Sequence, residues 1–298
     1  MVHPVSSVRP SPIAGTWYSG SPEVLHDEIE DFINSAVPCK YEGSVAGLVV
    51  PHAGYRYSGR TAGYGYRCIQ GSAYDLVVVV SPLHQAHPAI LLTSAHEYYE
   101  TPLGQVKVDQ HAVRTFAHLL FEDSGLTLTE IANDTEHSLE IQLPFLQVAL
   151  QKPFHLLPVM VRSESEKVIK IVGETLAKVV SGLNVLLIAS SDLSHFYTER
   201  EAKVLDHEML SQIEAFSPEG VLQAEQSGKG FACGAGAVAV VLTAAKALGA
   251  DTVTLVHHST SADATHDAVL DIYRSRLQTQ LTTTTTQDLI HQWQDDGL

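Results

Sequence analysis

Three runs of apolar, largely β-branched residues break off at polar residues with chemical capability, and they organise the reading of the whole chain. Ser44 to Val50 ends at Pro51-His52-Ala53-Gly54-Tyr55, Asp75 to Val80 at Ser81-Pro82-Leu83-His84, and Asn184 to Ala189 at Ser190-Ser191-Asp192-Leu193-Ser194-His195. Runs uniform in Val and Leu, without polar alternation, predict strands buried on both faces, as in a parallel sheet. Further strands are predicted at Ala89 to Thr93, His155 to Val161 and Thr252 to His257. Helical periodicity fills the intervals at Pro22 to Ser35, Gly59 to Ile69, Gln110 to Phe121, Leu139 to Leu150, Glu164 to Val180, Glu199 to Phe216, Pro218 to Gln226 and Ala235 to Leu248. This alternation predicts an α/β fold, a single domain with a central, mostly parallel sheet flanked by helices. Gly and Pro fall between elements without clustering, so the domain is taken as residues 1–278. The remainder, 279–298, is a Thr-rich tail in which Gln287 to Trp293 has the pattern of a short helix.

In open α/β sheets ligands bind outside the C-terminal ends of the strands, where loops present side chains without disturbing the sheet below. His52 and His84 fall at two such ends, which makes a metal or catalytic centre the leading idea. At the third, Asp192 and His195 are close enough in sequence to share the crevice, and a carboxylate beside an imidazole can fix its tautomer and raise its basicity. Ser191 or Asp192 would serve equally as a helix N-cap. Cys233 lies in the glycine-dense stretch Gly228 to Gly236 that opens an Ala-rich helix. A thiol at a helix N-terminus is expected to have a lowered pKa and to favour the thiolate; the alternative is a buried cysteine acting as a small hydrophobe. Glu136 and His137, in Thr135-Glu136-His137-Ser138-Leu139-Glu140, are further candidates to face the crevice. The glycine-rich loop lacks the lysine spacing of a phosphate-binding P-loop.

Composition narrows the partners. The 298 residues are 45% hydrophobic, with 34 acidic against 18 basic side chains and a formal charge of -16. That average field repels nucleic acid and anionic lipid, so neither is expected as a partner. No apolar stretch approaches a membrane span and Met1 to Pro10 lacks a signal layout, so a cytoplasmic location is expected. Cys39, Cys68 and Cys233 are odd in number and lack paired spacing, which predicts reduced thiols, with Cys39 and Cys68 as small apolar residues.

Taken together, these motifs resemble the Memo family, also called AmmeMemoRadiSam system protein B. The resemblance runs through Ala14-Gly15-Thr16-Trp17-Tyr18, Pro51 to Tyr55, Ser81 to His84, Glu136 to Glu140, Leu143-Pro144-Phe145-Leu146, Ser190 to His195 and Cys233-Gly234, in the family's order. It implies a fold similar to the β subunit of class III extradiol dioxygenases. It also implies a metal, Fe(II) or Cu(I) with Zn(II) as the further option, held by His52, His84 and Cys233. Asp192 and His195 match the family's pocket residues and are the expected catalytic pair, with Glu136 and His137 behind the ligands. A thiolate in place of the dioxygenases' carboxylate softens the site. The chain departs from the family at Ala235-Gly236-Ala237, where a proline is common, and at Ser261-Ala262-Asp263 and His266-Asp267.

Three functions stay open at this point: a metal-dependent redox protein of dioxygenase type acting on a small molecule, a zinc-dependent hydrolase with His195 as base, and a non-catalytic module for phosphopeptides or partner proteins. The third lacks the Arg cluster usual for phosphate capture. The family's name also implies AMMECR-type and radical-SAM proteins as partners.

Overall fold

The computed structural model describes residues 6–38 and 43–260. Along the chain run β1 (Val8–Arg9), α1 (Pro22–Ser35), β2 (Gly47–Val50), α2 (Tyr55–Arg67), β3 (Leu76–Pro82), β4 (Leu91–Ser94), β5 (Tyr98–Thr101), β6 (Gly104–Val108), α3 (Gln110–Ser124) and β7 (Thr129–Ile131). They are followed by α4 (Gln142–Ala149), β8 (His155–Val161), α5 (Glu166–Val180), β9 (Val185–Ser190), α6 (Glu199–Glu214), α7 (Pro218–Gln226) and α8 (Ala235–Ala247). The strands form one nine-stranded sheet in the order β1-β5-β6-β8-β3-β9-β2, with β4 and β7 joined to it through β8.

The centre of the sheet is parallel. β3 lies between β8 and β9, pairing Val80 with Val159 and with Ala189, and β2 closes that side by pairing Val50 with Ser190. All seven residues of β3 are buried, as expected of a strand covered on both faces. Antiparallel pairing is confined to β5 with β6 and β4 with β8, so the sheet is mixed but mostly parallel. The helices fall into two mutually packed groups, α1 with α2 and α4, and α3, α5, α6, α7 and α8. α1 shows how local sequence sets an element: Ser21 caps it, Pro22 starts it, and Leu25, Ile29, Phe32 and Ile33 form its buried face. α2 meets that face through Gly63, where an added Cβ would come within 2.4 Å of the Phe32 carbonyl oxygen.

Three local expectations change. α2 begins at Tyr55, four residues earlier than its periodicity suggested, because Gly54 turns the chain and the Tyr55 N–H bonds the Trp17 carbonyl. Thr252 to His257 is not a strand; its last residue, His257, stacks on a helix, against Tyr64 of α2, while Leu255 and Val256 are exposed. Cys68 is engaged in a disulfide, against the expectation of reduced thiols. An odd count leaves room for one bridge, and pairing depends on spatial approach that spacing does not reveal. Cys39, Ser261 to Asp267 and the 279–298 tail lie outside the described residues. Among those described, no helix is long and apolar enough to cross a membrane.

Candidate metal centre

Because β2 and β9 run parallel in register, the residues leaving them emerge side by side. Asp192 turns its carboxylate onto the β2 exit, where Oδ1 accepts the backbone N–H of His52 at 2.7 Å and of Ala53 at 3.2 Å. Its other oxygen lies 3.9 Å from His52 Nε2. The loop carrying His52 is thus held by a negative charge that also faces the imidazole.

The tautomer of His52 follows from its neighbours. Gln142 Nε2 donates to the Pro51 carbonyl at 2.9 Å and to Ser190 Oγ at 2.8 Å, while the Tyr66 hydroxyl donates to its Oε1 at 2.9 Å. Ser190 directs its single proton to the Ser138 carbonyl at 2.5 Å. Its oxygen therefore accepts from His52 Nδ1, 3.1 Å away. His52 carries its proton on Nδ1, leaving the Nε2 lone pair aimed at Cys233 Sγ, 3.0 Å distant.

His84 is prepared in the same way from the β3 exit. Glu136, almost wholly buried, accepts the His84 backbone N–H at 2.6 Å and its Nδ1–H at 2.9 Å, together with the N–H groups of His137 at 3.0 Å and Ser138 at 2.9 Å. Burial alone would raise the Glu136 pKa, but the hydrogen bond and charge of His84, then His137 and Ser138, hold it well below the usual carboxylate range. Burial also works against a charged His84, yet Glu136 outweighs it and raises the imidazole above its ordinary value. His137 moves the other way, pushed down by burial to about 4, and His52 is likewise lowered by burial. At neutral pH both rings are uncharged and able to ligate.

These imidazoles converge. His52, His84 and His137 each present a nitrogen within 4.8 Å of the others, the grouping of this kind among the described residues. His84 and His137 stack with centroids 4.7 Å apart, and Trp17 covers His137 at 4.1 Å. Beneath them lies a buried ion network. Arg9 binds Asp134 at 2.8 Å and Glu140 at 2.5 Å, and donates to the Glu136 carbonyl at 2.8 Å. Ser11 and Tyr18 complete the coordination of Glu140. The loop supplying Glu136 and His137 is therefore fixed from below by a guanidinium shared between two carboxylates.

Cys233 sits against His52, its N–H bonding the Asp192 carbonyl at 3.2 Å and its sulfur accepting the Asp192 N–H at 3.3 Å. The approach needs Gly234, where a Cβ would meet the Ser190 carbonyl oxygen at 2.5 Å. The thiol is pushed up to about 12 by burial, and secondarily by Asp192, which reverses the lowering expected from the helix N-terminus. His195 takes its orientation from the Leu193 carbonyl, which accepts from Nδ1 at 2.9 Å, and its ring stands edge-on to Phe196 and Phe231. Asp192 thus orients the His52 loop, while a backbone oxygen orients His195. Ser190, Gln142, Trp17 and the Arg9 network were not singled out from sequence. Trp17 and Ser190 fall within the motifs shared with the family, but a buried polar residue such as Arg9 or Ser190 shows its role only through long-range contacts.

A family model described as "Memo-like protein" matches residues 9–271. A MEMO1 family protein of Nitrosopumilus maritimus is 32% identical over 269 residues, covering 87% of this chain and 95% of the relative. That of Methanosarcina mazei is 32% identical over 262 residues, with 87% and 94% coverage. That of Methanopyrus kandleri is 30% identical over 270 residues, again with 87% and 94% coverage.

Proposed function

From the fact that the chain belongs to the Memo-like protein family, we propose that its histidine cluster is a transition-metal centre of redox type. The observation that carries the proposal is the convergence of His52, His84 and His137, with the first two donating their Nδ1–H to Ser190 and Glu136 and so keeping Nε2 unprotonated. Metal-ligating histidines characteristically donate their other N–H in this way. Neutral imidazoles beside a thiol suit Fe(II), Cu(I) or Zn(II) and are a poor match for Ca(II) or Mg(II), which prefer oxygen. His52 and His84 would hold the ion, with Cys233 and His137 the two candidates to complete its shell. Iron or copper there would supply one-electron exchange and open positions for small-molecule ligands.

The chain's own residues would do the rest. Glu136 places negative charge behind His84, and Asp192 places it beside His52 Nε2, which favours a bound cation. His195, protonated on Nδ1 by its bond to Leu193, keeps an Nε2 lone pair able to take a proton from a substrate in the crevice. Trp17 shields the His137 side from water.

Metal analysis of the chain, purified without oxygen or chelators, tests this. About one equivalent of iron or copper is expected, lost in His52→Ala and His84→Ala. Cys233→Ser is expected to weaken binding and Cys68→Ser to leave it unchanged, while His195→Ala retains metal and loses any turnover. Zinc without redox response would favour hydrolysis, with His195 as base. Equal metal in wild type and His52→Ala would overturn the proposal.

A further inference from the structure

Asp206 is a carboxylate on α6, only 3% exposed, in a position where helix periodicity would place an apolar residue. A buried carboxylate costs several kcal/mol unless its oxygens are satisfied. Both are. Oδ1 accepts the Ser194 backbone N–H at 2.9 Å, and Oδ2 bonds His258 Nε2 at 2.9 Å. Ser194 immediately precedes His195, so the first bond ends one residue from the imidazole assigned to proton movement.

Two further features mark the same loop. Phe196 has φ of 67°, a left-handed conformation rare for a bulky aromatic residue. Such strain costs of order 1–3 kcal/mol and persists only where surrounding contacts over-determine the backbone. The segment holding His258 is itself pinned on both sides. His257 stacks on Tyr64 of α2 at 4.0 Å, Ser259 bonds Thr61 of α2 at 2.5 Å, and His258, between them, reaches the other way to α6. Residues 257–259 therefore brace Asp206 against the helix that begins beside His52.

We infer that Asp206, braced by His258, is a positioning residue for His195: by holding the Ser194 N–H it fixes the turn in which the Leu193 carbonyl receives the His195 Nδ1–H and Nε2 is left free. This rests on the reading of His195 as the proton-moving group of the proposed centre. It predicts that Asp206 governs the tautomer of a ring it does not touch.

The test is the tautomer of His195, read from its two 15N shifts in the full chain with labelled histidine and assigned by loss of the signals in His195→Gln. Wild type is expected to show protonated Nδ1 and unprotonated Nε2. Asp206→Ala is expected to lose that single-tautomer signature, and Asp206→Asn, whose amide oxygen can still accept the Ser194 N–H, to restore it. Zn(II) retained after each sample is loaded with one equivalent is expected to stay at the wild-type level, which separates this inference from the metal proposal. An unchanged Nδ1–H tautomer in folded Asp206→Ala would overturn it. Should that variant not fold, His258→Ala carries the test: a shift toward the Nε2–H form supports the inference and an unchanged spectrum overturns it.

Discussion

His84 and His137 lie against the same carboxylate and titrate in opposite directions, because only His84 donates a ring N–H to it within hydrogen-bond distance. The consequence is a pH dependence with a defined origin. His84, raised above 6.5, gains its proton first as pH falls, so protons compete with metal there from near neutrality. His137, at about 4, joins only in stronger acid. Glu136→Gln removes the charge that raises His84, so metal loss is expected to begin at lower pH, while affinity at pH 8 drops about 10- to 100-fold. Chelator competition for Zn(II) across pH 5 to 8 measures both; an unchanged onset would contradict the pairing. Cys233 makes a second residue-scale prediction. With its thiol at about 12, ligation through sulfur must displace a proton at pH 8, and Cys233→Ser must release fewer protons on metal addition. Calorimetry in buffers of different ionisation enthalpy counts them, and equal release would place the sulfur outside the coordination shell.

At the scale of elements, the short β1 matters more than its two residues suggest. Arg9, 1% exposed, neutralises Asp134 and Glu140 and grips the Glu136 carbonyl, tying β1 to the loop that feeds the centre. Arg9→Met leaves two carboxylates buried without their counter-ion and is expected to cost about 3–5 kcal/mol. Denaturant unfolding measures it, and a loss below about 1 kcal/mol would show the network to be dispensable. Elements were unequally legible in the sequence. β3, β8 and β9 were read within one or two residues because central parallel strands are apolar throughout. β1, β5, β6 and β7 were not anticipated, being two to five residues long and mixed in polarity, so that pairing rather than composition creates them. Thr252 to His257 has strand-like residues but pairs with no strand among the described residues, and Leu255 and Val256 are exposed.

At the scale of the molecule, the parallel sheet explains why so much of the site could be located beforehand. Strand ends that share one edge bring His52, His84 and Asp192 together by topology alone. What could not be read was the chemistry between loops: that Ser190 sets one tautomer, that Asp192 serves His52 and a backbone oxygen serves His195, and that His137 stands among the converging rings. The Leu193–His195 bond is local, but the others depend on contacts across 50 residues or more of chain, which periodicity does not encode. Anomalous diffraction from crystals grown anaerobically with Fe(II) or Cu(I) tests the central claim most directly. The account predicts one strong metal peak within bonding distance of both His52 Nε2 and His84 Nε2. A peak elsewhere, with these two rings still hydrogen-bonded only to protein, would contradict it.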